Sequence, residues 1–155
     1  ANYDAAWAAA NALSTRPEKL AETVLSLQNR LKEAEHALNA LRREKILSDA
    51  HSWVERGTHT QGGHLLITEH VDGDMAALKD AASAIIREPN RIALLAAGAG
   101  EKCSLLFARS DDVDIHMGKL LADAIKPLGG KGGGRPDFAQ GSGPIAALEA
   151  AKKML

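Results

Sequence analysis

The chain predicts an α+β fold: an N-terminal helical or coiled-coil arm, then a small globular α/β domain whose central sheet is flanked by helices. Three observations carry this. Apolar residues recur at 4-3-4-3 spacing through the first third of the chain. Short apolar runs of strand length begin after residue 63. Two more segments of helical spacing alternate with those runs, which gives strands and helices around one sheet.

In the arm, the alanine-rich residues 4–13, with Trp7 and Leu13, read as a short helix that needs a partner. Thr15-Arg16-Pro17-Glu18 has the form of a capping box, with proline tolerated in the first turn. Leu20, Val24, Leu27, Leu31, Ala34, Leu38 and Leu41 then form a heptad seam that calls for a packing partner. That partner is either the helix at 4–13 or a second copy of the chain. The seam degrades at Lys45. Arg42-Arg43-Glu44-Lys45 is a mixed charge run, read as a solvated helix face or as a phosphate contact through Arg42 and Arg43. Gly57 to Gly63 is a glycine-bearing linker. The expected organisation is an arm at 1–56, a linker at 57–63 and a globular domain at 64–155.

The globular part opens with a strand at 64–71. Asp72-Gly73-Asp74 caps a helix carrying Met75, Leu78, Ala82 and Ile85, and Pro89-Asn90 stops it. Ile92–Ala96 and Cys103–Ala108, joined by a five-residue glycine-bearing loop, read as an antiparallel hairpin. Asp114 precedes a helix with Met117, Leu120, Leu121, Ala124 and Ile125 on one face, and Pro127 breaks it. A glycine-rich loop follows. Gly143-Pro144 then starts the last helix, so the expected order is β-α-β-β-α-loop-α.

Composition narrows the function. A hydrophobic share of 45% over 155 residues suffices for one core, and 3% aromatics makes that core aliphatic. The net charge of −1 gives no global signal for a polyanion, so any such site is a local patch. Residues 126–155 do lean positive. Cys103 is the only cysteine, which excludes an internal disulfide and a cysteine-based zinc site and suits a cytoplasmic protein. No apolar run approaches the ~18 residues of a membrane span. The start at Ala1 without methionine suggests a piece of a larger protein. Six histidines raise a metal hypothesis, but no His-x-x-x-His pair exists, and His64 and His70 would lie roughly 20 Å apart on one strand. His116 reads as a capping neighbour. No nucleophile–base pair stands out, so neither catalytic residues nor a cofactor is expected.

Half of the fourteen glycines fall between Gly129 and Gly143, a segment that opens with the stretch Gly-Gly-Lys-Gly-Gly-Gly-Arg-Pro-Asp-Phe-Ala-Gln-Gly. It is not a Walker loop, because Arg135-Pro136 stands where Lys-Ser/Thr belongs, and no register fits the dinucleotide pattern. A tight packing loop between two helices is one reading. A phosphate grip by Lys131 and Arg135, on the backbone of Gly130, Gly132, Gly133 and Gly134, is the other.

This run of twelve positions, Gly129 to Gln140, resembles the signature of the C-terminal DHHA1 domain of alanyl-tRNA synthetases and of the longer free-standing alanyl-tRNA editing proteins. The coiled helix, the α/β unit, the loop and the last helix extend the resemblance over most of residues 17–155. It implies a non-catalytic tRNA-binding accessory domain that touches the tRNA elbow and helps bring aminoacylation and editing to one tRNA. It also implies dimer contacts through the helical part. The histidines and cysteine of an editing site are missing from this chain. A related domain closes the DHH phosphoesterases and would clamp substrate there, but those usually carry a histidine where Arg135 stands. A purely structural dimerisation module is the remaining alternative.

Overall fold

A computed structural model describes residues 2–155; Ala1, the start of the expected arm, lies outside them. By their internal contacts the residues divide into a unit ending at Ala40 and a unit from Leu41 to Leu155. Helix α2 (Leu20–Glu55) runs through the division.

The first unit holds α1 (Asn2–Ala12), a single 3-10 turn at Pro17–Lys19 and the first half of α2. The expected capping box does not form. Arg16, not Thr15, precedes the turn and makes no side-chain cap, while the Thr15 hydroxyl accepts a hydrogen bond from Thr23 Oγ1 at 3.1 Å. Pro17 takes a first-turn position, where its missing N–H is no loss. From Val24 to Leu38 every seam position is exposed, with Leu31 at 60%. Helix α1, expected to need a partner, leaves Trp7 half-exposed.

In the second unit the sheet has six strands among the described residues, in the order β1-β2-β3-β4-β6-β5. Strands β1 (Thr58–His59) and β2 (Leu65–Val71) are antiparallel. Part of the segment expected as a linker is therefore a strand. Helix α3 (Met75–Ile86) crosses from β2 to the parallel β3 (Arg91–Ala97), and β4 (Cys103–Arg109) returns antiparallel as the expected hairpin. The Asp74 carboxylate accepts from Ala77 N at 2.9 Å, so the predicted cap of α3 is made. Helix α4 (Met117–Ile125) is capped by His116 Nδ1, which accepts from Lys119 N, so the histidine read as a capping neighbour is itself the cap.

The glycine-rich stretch departs from expectation. It is not a loop but a hairpin of β5 (Lys131–Gly134) and β6 (Phe138–Gly143), after which α5 (Ala146–Lys153) closes the unit. The physical reason is the demand of β4. Its residues are buried on both faces, so it needs a hydrogen-bonded neighbour on each side. Strand β3 supplies one, and β6 supplies the other by pairing Phe107 with Ala139 and Leu105 with Gly141. That tertiary demand overrides glycine's poor strand propensity.

Two cores sandwich the sheet. Leu94, Leu105 and Phe107 face α4 and α5, where Met117, Leu121, Ile125 and Leu148 cover them. Ile67, Leu95 and Leu106 face α3 and the last turns of α2, where Leu78, Ile85, Ile46 and Trp53 lie. No described helix is long and apolar enough to cross a membrane.

Candidate nucleic-acid interface

The β5–β6 hairpin owes its glycines to close packing on one side. A Cβ on Gly132 would lie 2.6 Å from Gly141 Cα and 3.2 Å from Ile125 Cδ1, inside the contact between the hairpin and α4. Gly118, at the start of α4, has no room for a Cβ because the Gly134 carbonyl oxygen occupies the space. Before the hairpin, Gly129 ends the 3-10 turn at Lys126–Leu128 with φ of +74°, a conformation that glycine adopts without strain.

The turn of the hairpin is pinned from two sides, by the start of α4 and by Arg109. The first N–H groups of α4 lack intrahelical partners and donate instead to this turn: Met117 N to Pro136 O at 2.8 Å, and Gly118 N to Arg135 O at 3.2 Å. Arg109 Nε donates to Ile115 O at 2.7 Å and to Pro136 O at 3.1 Å. Its Nη1 donates to Ser110 O and Asp111 O. One guanidinium thus ties β4, the loop before α4 and the hairpin turn together. The Arg135 side chain stays 74% exposed, paired with Asp137 at 3.3 Å.

The predicted site residues do not converge. Lys131 and Arg135 stand at opposite ends of β5, roughly 13 Å apart at ~3.3 Å per strand residue. Both reach solvent from the sheet edge. Arg42 and Arg43 belong to another surface. Arg42 pairs with Asp72 at 3.3 Å and Arg43 with Asp80, whose hydrogen bond and charge hold the Arg43 pKa above its ordinary value. Asp72 follows β2, four strand spacings from β5, or about 19 Å at ~4.8 Å each.

Lys131 meets a different cation. A cavity of about 610 Å³ opens beside it, lined by Glu101 and Lys102 from the β3–β4 loop, by Gly129 and Gly130, and by Ser142 to Pro144. Glu101 and Lys102 escaped the sequence reading, because only the register of β4 on β6 brings their loop to the hairpin. Among the described residues the side-chain ammonium groups of Lys102 and Lys131 have no ion-pair or hydrogen-bond partner.

The histidines are dispersed. His64 Nδ1 meets Asn90 Oδ1 at 2.6 Å, and His70 Nε2 meets Gly98 O at 2.5 Å. Among the described residues no group of three or more His, Cys, Asp or Glu is placed to hold a metal ion.

Comparison with known proteins agrees with this architecture. An alanine–tRNA ligase of Thermosynechococcus vestitus is 34% identical over 142 residues, covering 87% of this chain and 16% of the ligase. One from Magnetococcus marinus is 34% identical over 151 residues, covering 95% and 17%. The chain therefore spans about a sixth of the length of these curated relatives. In fold it is similar to the C-Ala domain of Aquifex aeolicus alanyl-tRNA synthetase, with a TM-score of 0.55 at 21% identity over 63% of this chain and 95% of that one. A model of the DHHA1 domain matches residues 62–155, and the chain belongs to the DHHA1 domain family.

Proposed function

We propose that this chain is the C-terminal, tRNA-binding accessory part of an alanine–tRNA ligase, working in the cytoplasm. In this reading it contacts the tRNA elbow, helps present one tRNA to the aminoacylation and editing sites, and performs no chemistry of its own. The observation that carries the proposal is the extent of the similarity. It runs through the helical arm as well as the DHHA1 domain and leads to alanine–tRNA ligases at 34% identity. Local charge supports it, since Lys131, Arg135 and Lys102 stand on one sheet end and edge of a chain whose net charge is −1. Structured RNA is held largely through shape and backbone contacts, which suits a surface poor in aromatics.

The test is binding of the chain to a tRNA transcript across a salt series. Affinity is expected to fall with salt, and a Lys131→Ala/Arg135→Ala variant to show a slope shallower by up to about two. No binding at low salt would end the RNA reading.

The exposed seam of α2 favours a second role, dimerisation of the parent protein. Val24, Leu27, Leu31, Leu38 and Leu41 repeat at heptad spacing and are all exposed in the single chain. Buried leucine is worth about 1.5–3 kcal/mol relative to exposed leucine, so pairing two such seams is favourable. Leu27→Glu/Leu31→Glu should lower the mass measured by sedimentation to that of a monomer. A wild-type chain that is already monomeric at high concentration would end this role.

A further inference from the structure

Gly133 has no role in the fold that would demand glycine. A Cβ there would meet nothing within 4 Å among the described residues, and its φ is not in the left-handed region. Its neighbour Gly132 is hemmed in on the opposite face. A strand-interior glycine is less favourable than a residue with a side chain, and where packing does not require it, it marks a close approach by something outside the chain.

The surroundings of Gly133 indicate what approaches. Register places Gly133 opposite Gln140 and Lys131 opposite Ser142, and directly opposed residues share a face. Lys131, Gln140 and Ser142 are exposed. This is the α3 side of the sheet, but α3 packs over β3 and β4, leaving the hairpin open. At the Lys131 end the open face runs into the cavity with Lys102 and Glu101. Two exposed ammonium groups lining one cavity make it favourable for an anion. Glu101 works against a bare inorganic ion and instead suits a ligand that presents hydroxyl donors next to its phosphate. Gln140 and Ser142 add groups that both donate and accept.

We propose that a ribose–phosphate strand lies across this face, passing over Gly133 with one phosphate between Lys102 and Lys131 and a ribose hydroxyl toward Glu101. The proposal rests on the RNA-binding reading above and assigns it a surface. It differs from the paired grip by Lys131 and Arg135, because Lys102 takes the second position.

Gly133→Val gives the sharpest test. Valine suits a strand and has free space here, so the variant should melt no lower than wild type. Lys102→Ala, in an exposed loop, is the companion should Gly133→Val fold poorly. Each is expected to bind a tRNA transcript about tenfold more weakly, the scale of one charge-assisted contact. For Lys102→Ala the salt slope should also become shallower by about one. Wild-type affinity and slope in folded variants would overturn this surface while leaving the RNA reading intact. Failure of the unmodified chain to bind tRNA would overturn both. A DNA copy of the same sequence should bind more weakly, and Glu101→Gln should narrow that difference; equal binding of RNA and DNA by wild type would remove the ribose contact. Saturable binding of AMP at micromolar concentration that tRNA does not compete would also overturn the proposal, making the site one for a free nucleotide.

Discussion

Helix α4 and the first half of α2 carry apolar stripes at similar spacing and have opposite surroundings. In α4, Met117 and Leu121 are fully buried, and Ile125 is 2% exposed, under the hairpin and α5. In α2, Leu27 is 39% exposed, Leu31 60% and Leu38 46%. Periodicity specifies which side of a helix is apolar, but it does not say what covers that side. For α4 the cover lies in the same chain. For α2 the described residues supply none along the seam from Val24 to Leu38.

The largest effect that would sharpen this contrast is expected from Leu121→Ala, which should lower the unfolding free energy by about 3 kcal/mol in urea titration. A loss within error would mean that α4 is not the anchored helix. Gly118→Ala should follow, at about 2 kcal/mol, because its methyl group meets the Gly134 carbonyl and the helix must move off the hairpin. Asp74→Ala removes the cap of α3 and should cost about 1 kcal/mol, with Asp74→Asn retaining most of the stability. The smallest effect is expected from Leu31→Ala measured at a concentration where the chain is monomeric, within about 0.5 kcal/mol. A loss comparable to that of Leu121→Ala would show the seam already covered and break the contrast.

The contrast also marks where the sequence was legible. Helices α3 and α4, the stop at Pro89-Asn90 and the β3–β4 hairpin follow from local spacing and punctuation, and each formed close to its expected bounds. The β5–β6 hairpin did not follow, because a run of glycines is locally the poorest strand former. A signal for it did exist. Cys103 to Ala108 is an unbroken mainly apolar run, so β4 needed neighbours on both sides, and only the glycine stretch remained to provide the second. The site was half legible for the same reason. Lys131 and Arg135 stand out in the chain, but their separation along a strand and the arrival of Lys102 depend on pairings between distant residues. Arg42 and Arg43 stood out as a charge run, yet the aspartates that engage them, Asp72 and Asp80, come from the distant β2–α3 region.

The position of β6 has a consequence for assembly of the sheet. Strand β6 follows β5 in the chain but lies inside it, between β4 and β5. Until residues 138–143 arrive, the backbone of Leu105 and Phe107 presents an open, apolar strand margin, the kind of surface on which chains stick to one another. Once β6 docks, the margin exposed to solvent becomes β5, only four residues long, with Lys131 at one end and Arg135 just past the other. A short strand with a cation at each end is a poor template for another chain. The glycine hairpin therefore also seals the sheet against aggregation, whatever else rests on its outer face.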